Sequence, residues 1–157
     1  MGYGQLAWTL RIDERVVVME RQNARYLARL PEPVNLVVID ASFISLRLLL
    51  PVVRNWLALP ADVVALIKPQ FEAGRKDVGR GGVVRDREIH RRVLQEVLEH
   101  AGRQRYHVRG LMRSPLKGPA GNIEFLCRLR SCRHEDPVDK EGVSRMIAGA
   151  LQSPYPS

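Results

Sequence analysis

At 157 residues the chain suits one domain with a real core, and its 25 Lys and Arg against 17 Asp and Glu leave a formal charge of +8 that points to polyanionic partners such as nucleic acid. Its longest apolar run, around Leu48 to Val53, is bounded by Arg47 and Arg54 and falls far short of the roughly 20 residues needed to cross a bilayer, which excludes a helical membrane span. Two cysteines are too few for a disulfide framework, and no charged stretch followed by an apolar one opens the chain, so a cytoplasmic protein is expected. Cys127, Cys132 and His134 match no familiar zinc spacing, and no metal is expected.

Tyr3, Leu6, Ala7 and Leu10 recur at helical spacing and predict a short amphipathic helix at the start. Arg15 to Glu20 (RVVVME) reads as a buried strand, because three successive β-branched valines are bounded by charge. Asn35 to Asp40 (NLVVID) is a second apolar strand ending in an acid. Ser45 to Leu59 predicts a helix with Leu46, Leu49, Leu50, Val53 and Leu57 on one face, kinked by Pro51 and closed by Pro60. Asp62 to Lys68 (DVVALIK) is a third strand, and strand, helix, strand is the parallel crossover unit.

Phe71 to Arg85 is rich in glycine and charge and lacks a period, which predicts a mobile loop. Asp86 can cap a helix through Ala101, with Ile89, Val93, Val97 and Ala101 buried and Gly102 as its stop. Tyr106 to Met112 and Asn122 to Leu129 read as two strands joined by the turn-rich Ser114 to Gly121, which suits an antiparallel pair. After a polar stretch from Ser131 to Pro137, Val143, Met146, Ile147, Ala150 and Leu151 mark a final helix.

In open α/β sheets ligands bind beyond the carboxyl ends of the strands, so polar residues at strand ends are the first candidates. Glu20, Asp40 and Lys68 each stand where an apolar strand stops, and Glu124, between Ile123 and Phe125 in the last strand, needs a partner or water. A lone lysine ending an apolar strand before Pro69 is unusual, and two carboxylates nearby could position it.

Four blocks in order, VVIDASFISL (37–46), ALIKPQFEAGR (65–75), GGVVRD (81–86) and SPLKGPAGNIEFL (114–126), resemble the haemolysin A (TlyA)-type rRNA 2'-O-methyltransferases, whose catalytic domain is FtsJ-like. The resemblance runs from Gly2 to about Arg130. It implies an α/β fold of the Rossmann-like S-adenosylmethionine-dependent methyltransferase type: a mostly parallel sheet with an antiparallel carboxy-terminal strand pair, here lacking the first two strands. Of the family's lysine, aspartate, lysine, glutamate constellation it assigns the last three to Asp40, Lys68 and Glu124. The first lysine, the glycine-rich cofactor turn and the amino-terminal RNA-binding domain have no counterpart here, since GYGQLAW is similar to the segment just after the second strand. Relatives often carry valine before GYGQ, which implies a valine start codon written as Met1.

The resemblance further implies that Glu20, Arg21 and Asn23 lie beside the adenine pocket of S-adenosylmethionine, that no metal is needed, and that the partner is ribosomal RNA or a ribosomal subunit. Arg75, Lys76, Arg80, Arg113 and Lys117 are the expected phosphate contacts. Two functions follow: an RNA methyltransferase, inactive as this fragment, or a basic RNA-binding fragment without catalysis. A membrane-lysing toxin, which the family name suggests, has no lytic helix to support it.

Overall fold

The computed structural model describes residues 6–132 and 139–152; Tyr3 of the expected first helix, His134 and most of the polar stretch before the last helix lie outside the described residues. In chain order the elements are α1 (Trp8–Arg11), β1 (Val34–Ile39), α2 (Leu46–Val53), β2 (Leu57–Ile67), α3 (Pro69–Glu72), α4 (Arg87–Arg103), β3 (His107–Arg113), β4 (Phe125–Ser131) and α5 (Lys140–Gln152), with single 3-10 turns at Ala24–Tyr26, Arg54–Trp56 and Arg75–Asp77. The four strands form one sheet in the order β1-β2-β4-β3. β1 and β2 pair in parallel, and β4 runs antiparallel to both β2 and β3, so three strands point one way and β4 alone opposes them. This is the expected α/β sheet with its carboxy-terminal antiparallel pair.

The core lies on one face of that sheet. Alternate residues of β2 (Val63, Ala65, Ile67) and β4 (Phe125, Cys127, Leu129) are buried against Leu49, Leu50 and Val53 of α2, Val93, Leu94 and Val97 of α4, and Ile147 and Leu151 of α5. Each fully buried Leu, Ile or Val contributes about 1.5–3 kcal/mol, so this single layer of helices supplies most of the driving force. The opposite face leaves Leu36, Val38 and Met112 57%, 72% and 53% exposed.

Several expectations are corrected. Arg15 to Glu20 belongs to no strand: Arg15 lies in a turn, ladder hydrogen bonds need a neighbour that the rest of the segment lacks, and Val17 is exposed. The first helix is only four residues long and buries no side chain. The helix expected over Ser45 to Leu59 stops at Val53, and Leu57, Leu59 and Pro60 enter β2 instead. Pro60, with no N–H to give, falls where the β1–β2 register skips between the Val34–Leu57 and Leu36–Asp62 pairs. α4 starts on its Asp86 cap, whose side chain accepts from the Glu88 N–H at 2.8 Å, as expected. It runs past Gly102, because the left-handed residue that ends the turn is Arg105, at φ 61°. Glu124 precedes β4 and does not sit inside it.

Phe71 to Arg85 is folded and not an open loop. Glu72 is the reason, being a buried carboxylate 6% exposed that accepts the Ser45 hydroxyl at 2.6 Å and the Leu46 N–H at 2.7 Å. It thereby caps α2 from α3 and holds the connection between β1 and α2. Arg47 reaches back to the Glu72 carbonyl at 2.9 Å and to Glu96 of α4 at 3.1 Å.

Burial is the main influence on Glu72 and pushes its carboxyl above the usual range, against the pull of Ser45, Leu46 and Arg47. The native state therefore holds this proton more tightly than the unfolded chain. Its contribution is present at acid pH and is lost as pH rises through the native value. Glu72→Gln, which keeps an acceptor for the Leu46 N–H, should match the wild type in urea denaturation near pH 4 and gain on it toward pH 7. Glu72→Ala, which orphans that N–H, should cost about 2 kcal/mol near pH 4 and less toward pH 7.

Candidate active site

Strand register assembles the site. Ile67 pairs with Phe125, so one further step of the same antiparallel register sets Lys68 across from Glu124, and the parallel β1 ends beside them at Asp40. The Lys68 Nζ lies 2.6 Å from Asp40 Oδ1 and donates to Ser42 Oγ at 3.2 Å. The lysine side chain is only 12% exposed and its carboxylate partner 68%, so the ion pair opens outward through Asp40. Gln70, in the first turn after β2, donates from Nε2 to Glu124 Oε1 at 2.9 Å. Lys68, Gln70 and Glu124 line one cavity of about 400 Å³ with Ser42, Phe43 and Asn122.

Two features shape the cavity mouth. Phe43 is 90% exposed in a left-handed backbone conformation, φ 62°, which a bulky side chain adopts only when its surroundings enforce it. Its ring sits 4.9 Å from that of Phe71, also in the lining. On the far side Asn122, 2% exposed, accepts the Val84 N–H at 3.0 Å and donates to the Gly82 carbonyl at 2.9 Å. The left-handed Gly81 and Gly82, at φ 81° and 76°, allow the chain to turn there. Buried His90 anchors the same loop through the Val84 carbonyl at 3.1 Å; burial, the largest influence, lowers its pKa.

The structure thus brings Asp40, Lys68 and Glu124 to one end of the sheet. It does not bring Glu20, Arg21 and Asn23 to the same cavity. Arg11 donates to the Glu20 carboxylate at 3.3 Å, Arg21 takes a left-handed turn at φ 58°, and the Asn23 side chain caps the Ala24–Tyr26 turn by accepting from the Arg25 N–H at 3.1 Å. Glu20 and Asn23 thus each make a hydrogen bond to a nearby arginine of the amino-terminal segment. Arg75, Lys76, Arg80 and Lys117 are exposed, while the half-buried Arg113 donates to the Leu151 carbonyl at 3.1 Å and ties β3 to α5. No cluster of potential metal ligands occurs among the described residues.

Sequence reasoning missed Ser42, Phe43, Gln70 and Asn122 as site residues. The signal for Gln70 was its place two residues past the strand-end lysine, and for Asn122 its place two before Glu124. Nothing in the composition marked Phe43, whose exposure is a property of the turn.

A family described as FtsJ-like methyltransferase matches residues 1–131. The chain belongs to that family. YqxC of Bacillus subtilis, provisionally named an rRNA methyltransferase, is 51% identical over 135 residues, 82% of this chain and 47% of that protein. TlyA of Mycobacterium tuberculosis, named a 16S/23S rRNA (cytidine-2'-O)-methyltransferase, is 49% identical over 135 residues, 83% of this chain and 50% of its own. A solved structure from Streptococcus thermophilus, provisionally named a hemolysin, superposes with a TM-score of 0.81 at 42% identity, over 94% of this chain and 54% of that one. The chain spans about half the length of the curated relatives it matches.

Within this FtsJ-like fold Asn122 staples the cavity wall. Asn122→Ala leaves the buried Val84 N–H without its acceptor. The variant should lose about 1–3 kcal/mol in denaturant titration. Amide hydrogen exchange at Val84 should accelerate more than at core positions of α4.

Proposed function

We propose that this chain is the acceptor-side portion of an S-adenosylmethionine-dependent ribose 2'-O-methyltransferase acting on ribosomal RNA. The observation that carries the reading is the Lys68 Nζ held between Asp40 and Ser42, on a cavity that Glu124 also lines. The proposed sulfonium cofactor supplies an activated methyl group, so the protein needs to deliver only an oriented, deprotonated hydroxyl. Lys68, in its neutral amine form, orients the 2'-hydroxyl and takes its proton to become the ammonium; Asp40 and Ser42 hold the Nζ in place; Glu124 accepts a hydrogen bond from the acceptor sugar. Phe43, an exposed ring at the mouth, offers a face for a base lifted from its stack. Arg75, Lys76, Arg80 and Lys117 supply phosphate contacts around it, with Arg113 behind them.

A second reading, a basic RNA-binding fragment without catalysis, is favoured by one observation: Glu20 and Asn23 hydrogen-bond to Arg11 and Arg25 and are not among the residues that line the Lys68 cavity. The two readings part on binding and transfer. By calorimetry the 157-residue chain alone should bind S-adenosylmethionine negligibly, because backbone approach to the cofactor's carboxylate requires a glycine-rich turn. Micromolar affinity would mean a cofactor site elsewhere in the chain.

Transfer is tested in a chimaera in which residues 1–131 replace the matching stretch of YqxC, using tritiated methyl transfer to unmodified ribosomal subunits. Lys68→Ala should lower turnover by at least about a hundredfold, with cofactor affinity within a few-fold. Lys68→Arg should fail nearly as badly, since a guanidinium stays protonated. Near-normal turnover in Lys68→Arg would exclude proton acceptance and leave electrostatic positioning. Arg80→Ala or Lys117→Ala should chiefly weaken RNA binding and flatten its salt dependence.

A further inference from the structure

Gln70 lies outside the lysine and carboxylate constellation, yet it makes a polar contact to Glu124 that fixes one oxygen of that carboxylate. Its Nε2 donates to Glu124 Oε1 at 2.9 Å, and the reversed amide would set a carbonyl against a carboxylate, so the orientation is chemically determined. The other end of the amide tells the same story. Gln70 Oε1 is sealed from solvent and has no hydrogen-bond partner. A buried, unmet acceptor is unfavourable, and a side chain present only to fill space would not carry one. The N–H end is the end in use.

A second contact closes on the same oxygen. A Cβ added at Gly118 would stand 2.7 Å from Glu124 Oε1, closer than such atoms approach, so a side chain there would displace that oxygen. Oε1 is therefore held by the Gln70 amide, in space that Gly118 leaves open. Glu124 Oε2 makes no hydrogen bond and is not among the side-chain atoms sealed from solvent. It is the oxygen left to the cavity shared with Lys68.

We infer that Gln70 is a positioning residue: by fixing Oε1 it presents Oε2 of Glu124 to a hydroxyl donor of the acceptor sugar. The inference rests on the reading of this cavity as a methyl-acceptor site. Gln70 itself need not touch the substrate, and its effect passes through the carboxylate.

The discriminating variant is Gln70→Glu, which preserves size and replaces the donor with a second acceptor, alongside Gln70→Ala. The first readout needs no activity: the carboxyl carbon resonance of Glu124 in the 157-residue chain, labelled at glutamate and assigned through Glu124→Gln. Both variants should shift and broaden that resonance while α4 and β4 amide signals stay in place. If it is unmoved in both, Gln70 does not position Glu124 and the inference is overturned. The second readout is turnover in the YqxC chimaera, where Gln70→Glu should lower kcat at least about tenfold with the KM for subunits nearly constant. A shifted resonance with unchanged kcat would overturn the link to catalysis. An inactive parent chimaera would count against the methyltransferase reading and leave the resonance to decide the role of Gln70.

Discussion

The pairing of β2 with β4 places the chemistry of this protein. Seven residue pairs, from Ala61 with Ser131 to Ile67 with Phe125, lock the two strands antiparallel, and the same pairs set their buried faces in register over the helices. A slip of one residue would turn Val63, Ala65 and Ile67 outward, so the register is held by burial of the core and not by the polar end. Lys68 and Glu124 are the residues that follow and precede this ladder. Their approach is a consequence of a hydrophobic requirement some distance away.

Around that fixed pair the protein uses buried polar groups as clamps. Glu72 caps α2 and steadies the connection carrying Asp40, Ser42 and Phe43. Asn122 and His90 pin the glycine turn on the opposite wall. Gln70 and Gly118 confine one oxygen of Glu124. Each group has little freedom, because a buried donor or acceptor that loses its partner costs about as much as several methylene contacts return. The same logic explains why the connection from Phe71 to Arg85 is folded despite its glycines and charges.

Among the described residues the helices cover one side of the sheet, and this asymmetry accounts for where sequence reasoning went astray. The RVVVME segment has the composition of a buried strand, but a strand is a pairwise object and β1 offers an unpaired edge on that side. Leu36 and Val38, in the apolar strand that ends at Asp40, are exposed on the face away from the helices. Glu20, expected at a strand end, follows no strand and meets Arg11 nine residues earlier.

From the residues alone one could read the α/β alternation, the Asp86 cap, the buried stripe of α4 and the antiparallel final pair, since each depends on local periodicity or a cap within a few positions. The strand-end character of Asp40 and Lys68 was readable too, because apolar runs stop there. Tertiary structure alone decided that Asp40 and Lys68 form an ion pair, that Glu124 stands across from Lys68, and that Ser42, Gln70 and Phe43 complete the cavity. Those facts depend on register between strands tens of residues apart and on the strained turn at Phe43. A local pattern does not encode them, because the energy that fixes them is the burial of side chains elsewhere in the sheet.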